Sequence, residues 1–225
     1  MTDAHCHISC GDASVREFLI GRDFIGVHPW DAREPGTGNR ERDLGALRLR
    51  IRENPRLCIG EIGLDRLKDR TISKFMRDVF EFQLRLAAEF HRPVVLHGAK
   101  CWGQVVSTIR RLFPVSSSLF PISSFLFHGF SRSAGLIPDI VALNGFISVG
   151  PAVLNDHAVN YRELVKKIPV ERLLVETDRT PENAAKCPGI REVMAAVAEL
   201  RGMTVVELET IVDGNADAFI CYNTI

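Results

Sequence analysis

The run Leu57-Cys58-Ile59-Gly60-Glu61-Ile62-Gly63-Leu64-Asp65 sets a carboxylate in the middle of a stretch apolar enough to be a strand buried on both faces. Left unpaired there, Glu61 would cost several kcal/mol, so the chain must bring cationic groups against it. Candidates recur in one pattern. His5 and His7, His97, His128 and Asp178 each stand at the C-terminal end of a short apolar run.

Those runs define the architecture. Thr2 to His7, Phe24 to Val27, the Glu61 run, Pro93 to His97, Phe125 to His128, Gly145 to Gly150 and Arg172 to Asp178 read as seven strands. Between them lie helical patterns. Leu44, Leu47 and Ile51 mark a helix over 40–53, and Phe75, Val79, Phe82, Leu86 and Phe90 form the expected core stripe of one over 72–90. Further helices are expected over 103–113, from Ser131 as cap to Leu143, from Asn155 or Asp156 to Ile168, and over 190–201, 205–212 and 215–222. Residues 31–39 read as a Gly- and Pro-rich loop and 114–124 as a surface excursion packed by its own apolar residues. Strands alternating with helices through right-handed crossovers make a parallel sheet. A doubly wound sheet and a (β/α) barrel both satisfy the pattern, but the Gly-rich phosphate loop usual in the first is missing from the sequence. A barrel gathers functional residues at the C-terminal ends of its strands, where all the candidates fall.

Composition bounds the rest. With 225 residues, 46% of them hydrophobic, the chain is long enough for one domain over 1–225 with a large core. The 28 basic and 28 acidic residues balance, so a nucleic-acid partner would have to be held by a local patch. Scattered cysteines without C-x-x-C pairs, and no apolar leader, point to reduced thiols in the cytoplasm. No stretch reaches the roughly 20 apolar residues needed to cross a bilayer.

Alternation in the first strand puts His5 and His7 on one side and Cys6 on the other, a geometry in which two imidazoles can grip one ion. The whole set is imidazole and carboxylate without thiolate, suited to Zn, Mn or Fe in a binuclear hydrolytic site. We expect His5, His7 and Asp178 to hold one metal, His97 and His128 the other, and Glu61 to bridge them. His28 is expected to shape a strand end and line the pocket mouth with Trp30, not to ligate. Lys100, Arg132, Arg66 and Arg179 are candidate phosphate contacts, and Trp30 or Trp102 a platform for an unpaired base.

The strings Asp3-Ala4-His5-Cys6-His7, Gly26-Val27-His28-Pro29, Gly60-Glu61-Ile62-Gly63-Leu64-Asp65, Leu96-His97, His128-Gly129-Phe130 and Glu176-Thr177-Asp178 resemble, in order and spacing, the TatD family. The resemblance spans nearly the whole chain. It implies a TIM-like barrel of the amidohydrolase type, a deoxyribonuclease activity, and two divalent metals (Zn, Mn, Fe or Mg) on the matched residues. The chain departs from the family in three places. The segment between His7 and Gly26 is short, so one β-α unit near the N-terminus is expected to be reduced. Lys100 stands near the place of a usual Arg, a point charge instead of a fork. Arg179-Thr180 replaces Ala-Pro after the last Asp. The leading expectation is a phosphodiesterase that cleaves DNA, single-stranded or from 3′ ends, with Asp178 as general base and ligand. The residues leave two alternatives: hydrolysis of a C–N bond at the same centre, or a metal-binding protein that has lost turnover.

Overall fold

The computed structural model describes residues 1–32, 40–114 and 122–220, with the side chains of 40–43 also outside that description. Most of the loop expected over 31–39, most of the excursion over 114–124 and the end of the last helix therefore lie outside the described residues. Among the described residues there are eight parallel strands, and each from the third onward is followed by a helix. The strands are β1 (Thr2–Cys6), β2 (Arg16–Leu19), β3 (Phe24–Ile25), β4 (Cys58–Gly63), β5 (Val94–His97), β6 (Phe125–Phe127), β7 (Gly145–Val149) and β8 (Leu173–Val175). The helices are α1 (Arg40–Glu53), α2 (Lys74–Glu89), α3 (Trp102–Leu112), α4 (Ile137–Ala142), α5 (Val159–Lys167), α6 (Ile190–Arg201) and α7 (Val205–Ile220).

Strands β3 to β8 pair in chain order as one sheet, and β1 pairs with β2. An isolated bridge from Ile20 to Phe24 joins the two sheets on one side. On the other, the Asp178 N–H donates to the His5 carbonyl (3.1 Å) and the His7 N–H to the Arg179 carbonyl (2.8 Å). The ring is thus closed as a TIM-like (β/α) barrel.

Seven strands are expected from the sequence; the described residues contain an eighth, Arg16–Leu19. What the shortened segment lacks is helix: none lies between β1 and β3, residues that are all described. Arg22 and Asp23 N–H groups instead donate back to the Leu19 carbonyl in a tight turn. Helix α7 lies against this part of the wall, with Thr2 Oγ1 donating to Asp213 (2.7 Å) and Arg16 pairing with Asp217 (2.5 Å).

The helical stripe of α2 also differs. Met76, Val79, Phe80, Leu84, Leu86 and Ala87 face the barrel, whereas Phe75, Phe82 and Phe90 are only partly buried at its edges. Buried Gln83 explains one choice: its side-chain amide accepts from Val27 N–H (2.7 Å) and donates to the Val27 carbonyl (3.1 Å). Strand β3 therefore ends after two residues, and α2 fixes the chain just before His28. Helix α5 opens later than expected, and α7 runs unbroken through Gly214.

Candidate metal centre

Each donor is aimed by its strand. In β4, Ile59 opposes Val94 and Ile62 opposes Leu96, so β4 uses one more residue than β5 across that step. Such a bulge re-aims a side chain, here Glu61 into the barrel mouth. The Gly60–Glu61 peptide in this step is cis. Gly60 has no room for a Cβ, which would stand 2.6 Å from Val95 Cβ.

The two oxygens of Glu61, which is 4% exposed, meet different partners. Oε1 lies 2.7 Å from His97 Nδ1 and 2.6 Å from His128 Nε2. Oε2 lies 3.5 Å from His5 Nε2 and 3.8 Å from His7 Nε2. Asp178 Oδ1 completes the second group, 3.6 Å from His5 Nε2 and 3.4 Å from His7 Nε2. The expected residues, His5, His7, Glu61, His97, His128 and Asp178, thus converge on one mouth of the barrel.

The donor set fits a cation. His5 is fully buried, stacked on His128 (4.2 Å) and Phe24 (5.2 Å), yet both of its ring nitrogens lack a hydrogen-bond partner. An orphaned imidazole is costly in a core and reasonable as a ligand. Donor separations of 3.4 to 3.8 Å from His5 and His7 to Asp178 and Glu61 are close to the edge of a tetrahedron around zinc, about 3.3 Å. Donor triads across the site, among them His5–His7–Glu61 and His5–His128–Asp178, hold their ligand atoms within 4.8 Å of one another.

Electrostatics follow from crowding. Burial alone would raise Glu61, but His128, His28 and His5 hold its carboxyl well below the usual range. Burial alone would lower His128 and His97. The Glu61 and Glu176 carboxylates raise His128 well above the ordinary histidine value, and hydrogen bonds to Asp65 and Glu61 raise His97. Asp178 is held low against its burial by the hydrogen bond to His7.

His28 also enters the ring, its Nε2 3.5 Å from Glu61 Oε1. Its Nδ1 accepts the Trp30 N–H (3.1 Å), which leaves the proton on Nε2 and no lone pair for an ion. His28 so protonated donates to Glu61, although it also forms, with Glu61 and His97, a third group of donor atoms within 4.8 Å of one another. Trp30 sits at the mouth, 42% exposed. Trp102 does not: it is buried under Gly98 against Phe127 and Phe130, because α3 begins at Trp102 and turns the indole inward. The expectation that it meets a substrate is corrected. Lys100 is exposed on the turn after β5. Exposed Arg132 lines a groove of about 1060 Å³ with Asp178, Gly150 and α5. Arg66 donates to the Arg70 carbonyl, and Arg179 has a buried Nε without a partner.

Three residues that carry the site had no role assigned from sequence. Asp65 Oδ2 lies 2.7 Å from His97 Nε2, holding that ring from behind. Glu176 accepts from Gly129 N–H (2.6 Å) and Ser148 Oγ (2.5 Å) and stands 3.7 Å from His128 Nδ1. Asp3 accepts from Thr177 N–H and Oγ1 and locks β1 to β8. Asp65 and Glu176 stand just beyond the C-terminal ends of β4 and β8, the signal that could have marked them, whereas Asp3 is the second residue of β1 and carries no such mark.

Left-handed backbone is also placed with a pattern. His91 and Asn144 follow α2 and α4, but Lys100, Arg132 and Asp178, at φ 58°, 65° and 49°, lie just beyond β5, β6 and β8 at the functional rim.

The chain is similar to known proteins in sequence and in fold. Residues 14–220 match the family described as TatD related DNase. The chain is 29% identical over 199 residues to an uncharacterized metal-dependent hydrolase, YabD, of Bacillus subtilis, covering 85% of this chain and 74% of that protein. It is 28% identical over 204 residues to a protein of Pantoea vagans named 3′-5′ ssDNA/RNA exonuclease TatD, again covering 85% and 74%. The fold matches the crystal structure of YjjV, a TatD homologue from Escherichia coli, with a TM-score of 0.72 at 23% identity over 96% of this chain and 79% of that one. No helix among the described residues is long and apolar enough to cross a membrane. The chain belongs to the TatD-related DNase family and is a metal-dependent hydrolase.

Proposed function

We propose that the chain is a phosphodiesterase that removes nucleotides from the 3′ ends of single-stranded DNA, with two divalent cations (Zn, Mn, Fe or Mg) bridged by Glu61. One observation carries the reading: the two oxygens of a single buried carboxylate face two separate donor groups, His97 with His128 and His5 with His7 and Asp178. Such a pair of ions supplies a nucleophile at neutral pH and charge stabilisation for in-line displacement at phosphorus.

The chain's own residues divide the remaining work. Glu61 and His5 are sealed from solvent, whereas the Asp178 side chain is 47% exposed and is the acid that reaches a substrate. With its carboxyl held ionised, Asp178 can accept the proton of the attacking water while remaining a ligand. Asp65 orients His97 through the hydrogen bond at Nε2, and Glu176 faces His128 Nδ1 at 3.7 Å as a countercharge. Exposed Arg132 stands in the groove that opens beside Asp178, where a strand's phosphates would run. The Pantoea relative's name supports a nucleic-acid substrate. A cytoplasmic location, where buried Cys6, Cys58 and Cys101 stay reduced, belongs to the same reading.

The test strips the protein with chelator, restores Mg, Mn or Zn singly, and supplies labelled single-stranded DNA, RNA and a panel of amides. Stepwise release of nucleotides from the 3′ end of DNA, dependent on added metal, is expected. Cleavage of amides alone, or of nothing, would overturn the reading.

A further inference from the structure

Trp30 is the one aromatic among the exposed large apolar side chains of the described residues, and it stands at the metal centre. Its ring centroid lies 5.0 Å from that of His28, nearly perpendicular at 85°, and 6.4 Å from that of His97. The Lys68 ammonium sits over the indole at 5.1 Å. Trp30, Lys68, Arg70, Ser73 and Asp65 line a cavity of about 560 Å³ beside the donor ring. The position is fixed, not a waving loop tip: Pro29 precedes it, and its backbone N–H is held by His28 Nδ1.

We propose that Trp30 is the stacking platform for the unpaired nucleobase next to the phosphate under attack, with Lys68 and Arg70 against the sugar–phosphate backbone, an assignment that rests on the nuclease reading. A base held in a duplex is already stacked and paired, so this platform accepts a frayed or single-stranded end and rejects a paired one. Stacking reads the area of the π-face and not the hydrogen-bonding edge. A terminal purine should therefore bind more tightly than a pyrimidine, and both more tightly than an abasic residue.

The experiment measures KM and kcat on oligonucleotides ending in adenosine, thymidine or an abasic residue, for the metal-loaded wild-type protein, Trp30→Ala and Trp30→Phe. Wild-type KM should rise in that order. Trp30→Ala should raise KM for the adenosine end by roughly 5- to 150-fold, the range of a lost base–aromatic stack, and abolish the discrimination, with Trp30→Phe restoring most of it. Quenching of indole fluorescence by an oligo(dA) added to metal-free protein reads the contact without turnover, since Trp102 is buried, and should vanish in Trp30→Phe. Equal KM values for adenosine and abasic ends in the wild type, or wild-type discrimination in Trp30→Ala, would overturn the platform while leaving the nuclease reading intact. Should Trp30→Ala fail to fold, Trp30→Phe and the quenching decide. If no oligonucleotide is cleaved, the nuclease reading falls by itself. Quenching that depends on Trp30 then still supports base stacking, and its absence removes it.

Discussion

Asp65→Asn changes one atom behind the metal centre and should misdirect a proton. Asp65 is 1% exposed, and its Oδ1 accepts the backbone N–H groups of Leu67 (2.7 Å) and Lys68 (2.9 Å). In the asparagine variant that position must remain the carbonyl oxygen, because only an acceptor can face two donors. The amide NH2 then takes the place of Oδ2, 2.7 Å from His97 Nε2. A donor there forces Nε2 to accept, which moves the imidazole proton to Nδ1, the nitrogen 2.7 Å from Glu61 Oε1. That nitrogen can no longer offer a lone pair to a cation. Loss of such an orienting partner weakens metal binding by about 10- to 100-fold, or about 1.4 to 2.7 kcal/mol. The two backbone caps survive, so the metal-free fold should unfold close to the wild-type temperature. Competition against a fluorescent chelator, with a thermal melt of the stripped protein, measures both quantities. Wild-type affinity in Asp65→Asn would refute the tautomer argument, and so would an affinity loss matched by an equal loss of metal-free stability.

Other perturbations follow from the same geometry. His97 and His128 hold protons above the ordinary value of 6.5 in the metal-free fold, so an incoming cation must displace them. Affinity should therefore fall as pH drops toward 6.5, while Glu61 and Asp178, held low, stay ionised and add no slope there. The linked stability has the opposite sign without metal: raised histidines stabilise fully below their unfolded value, and that share is lost as pH rises through the folded one. Melts in chelator should fall from about pH 6.5 upward, whereas melts with saturating zinc should rise only up to about pH 6.5 and stay level above it; parallel curves would contradict this. Gly63→Ala would set a Cβ 1.9 Å from the His97 carbonyl oxygen at φ 150°, which forces β4 from β5. A loss of about 3 kcal/mol or more in urea unfolding is expected, and a wild-type midpoint would count against it. Arg132→Gly relieves left-handed backbone and should raise stability by about 1 kcal/mol, yet raise KM for DNA through loss of a phosphate contact. A higher melting temperature with unchanged KM would leave Arg132 without a role in binding.

Much of this centre was legible in the sequence because strand geometry repeats. Period-2 alternation placed His5 with His7, and an apolar run closed by a histidine or acid marked each strand exit in turn. Strand β2 was not legible: Arg-Glu-Phe-Leu is short, half charged and followed by no helix, and its Glu17 is buried only because it accepts from Ser9 and Cys10. Trp102 shows the opposite failure. Closeness in sequence to a strand end placed it at the rim, but the first turn of α3 and the bare Gly98 backbone draw the indole into the core. The roles of Asp65 and Glu176 depend on which ring nitrogen each one faces. That is decided across strands, by the register of β4 on β5, of β6 on β7 and of β7 on β8, and no single stretch of sequence contains it.

The central claim is that donors far apart in the chain close around two cations sharing Glu61. Anomalous scattering from crystals soaked in zinc or manganese tests it most directly. Two peaks flanking the Glu61 carboxylate are predicted, one against His5, His7 and Asp178 and the other against His97 and His128. A single ion, or peaks that leave Glu61 untouched, would contradict it.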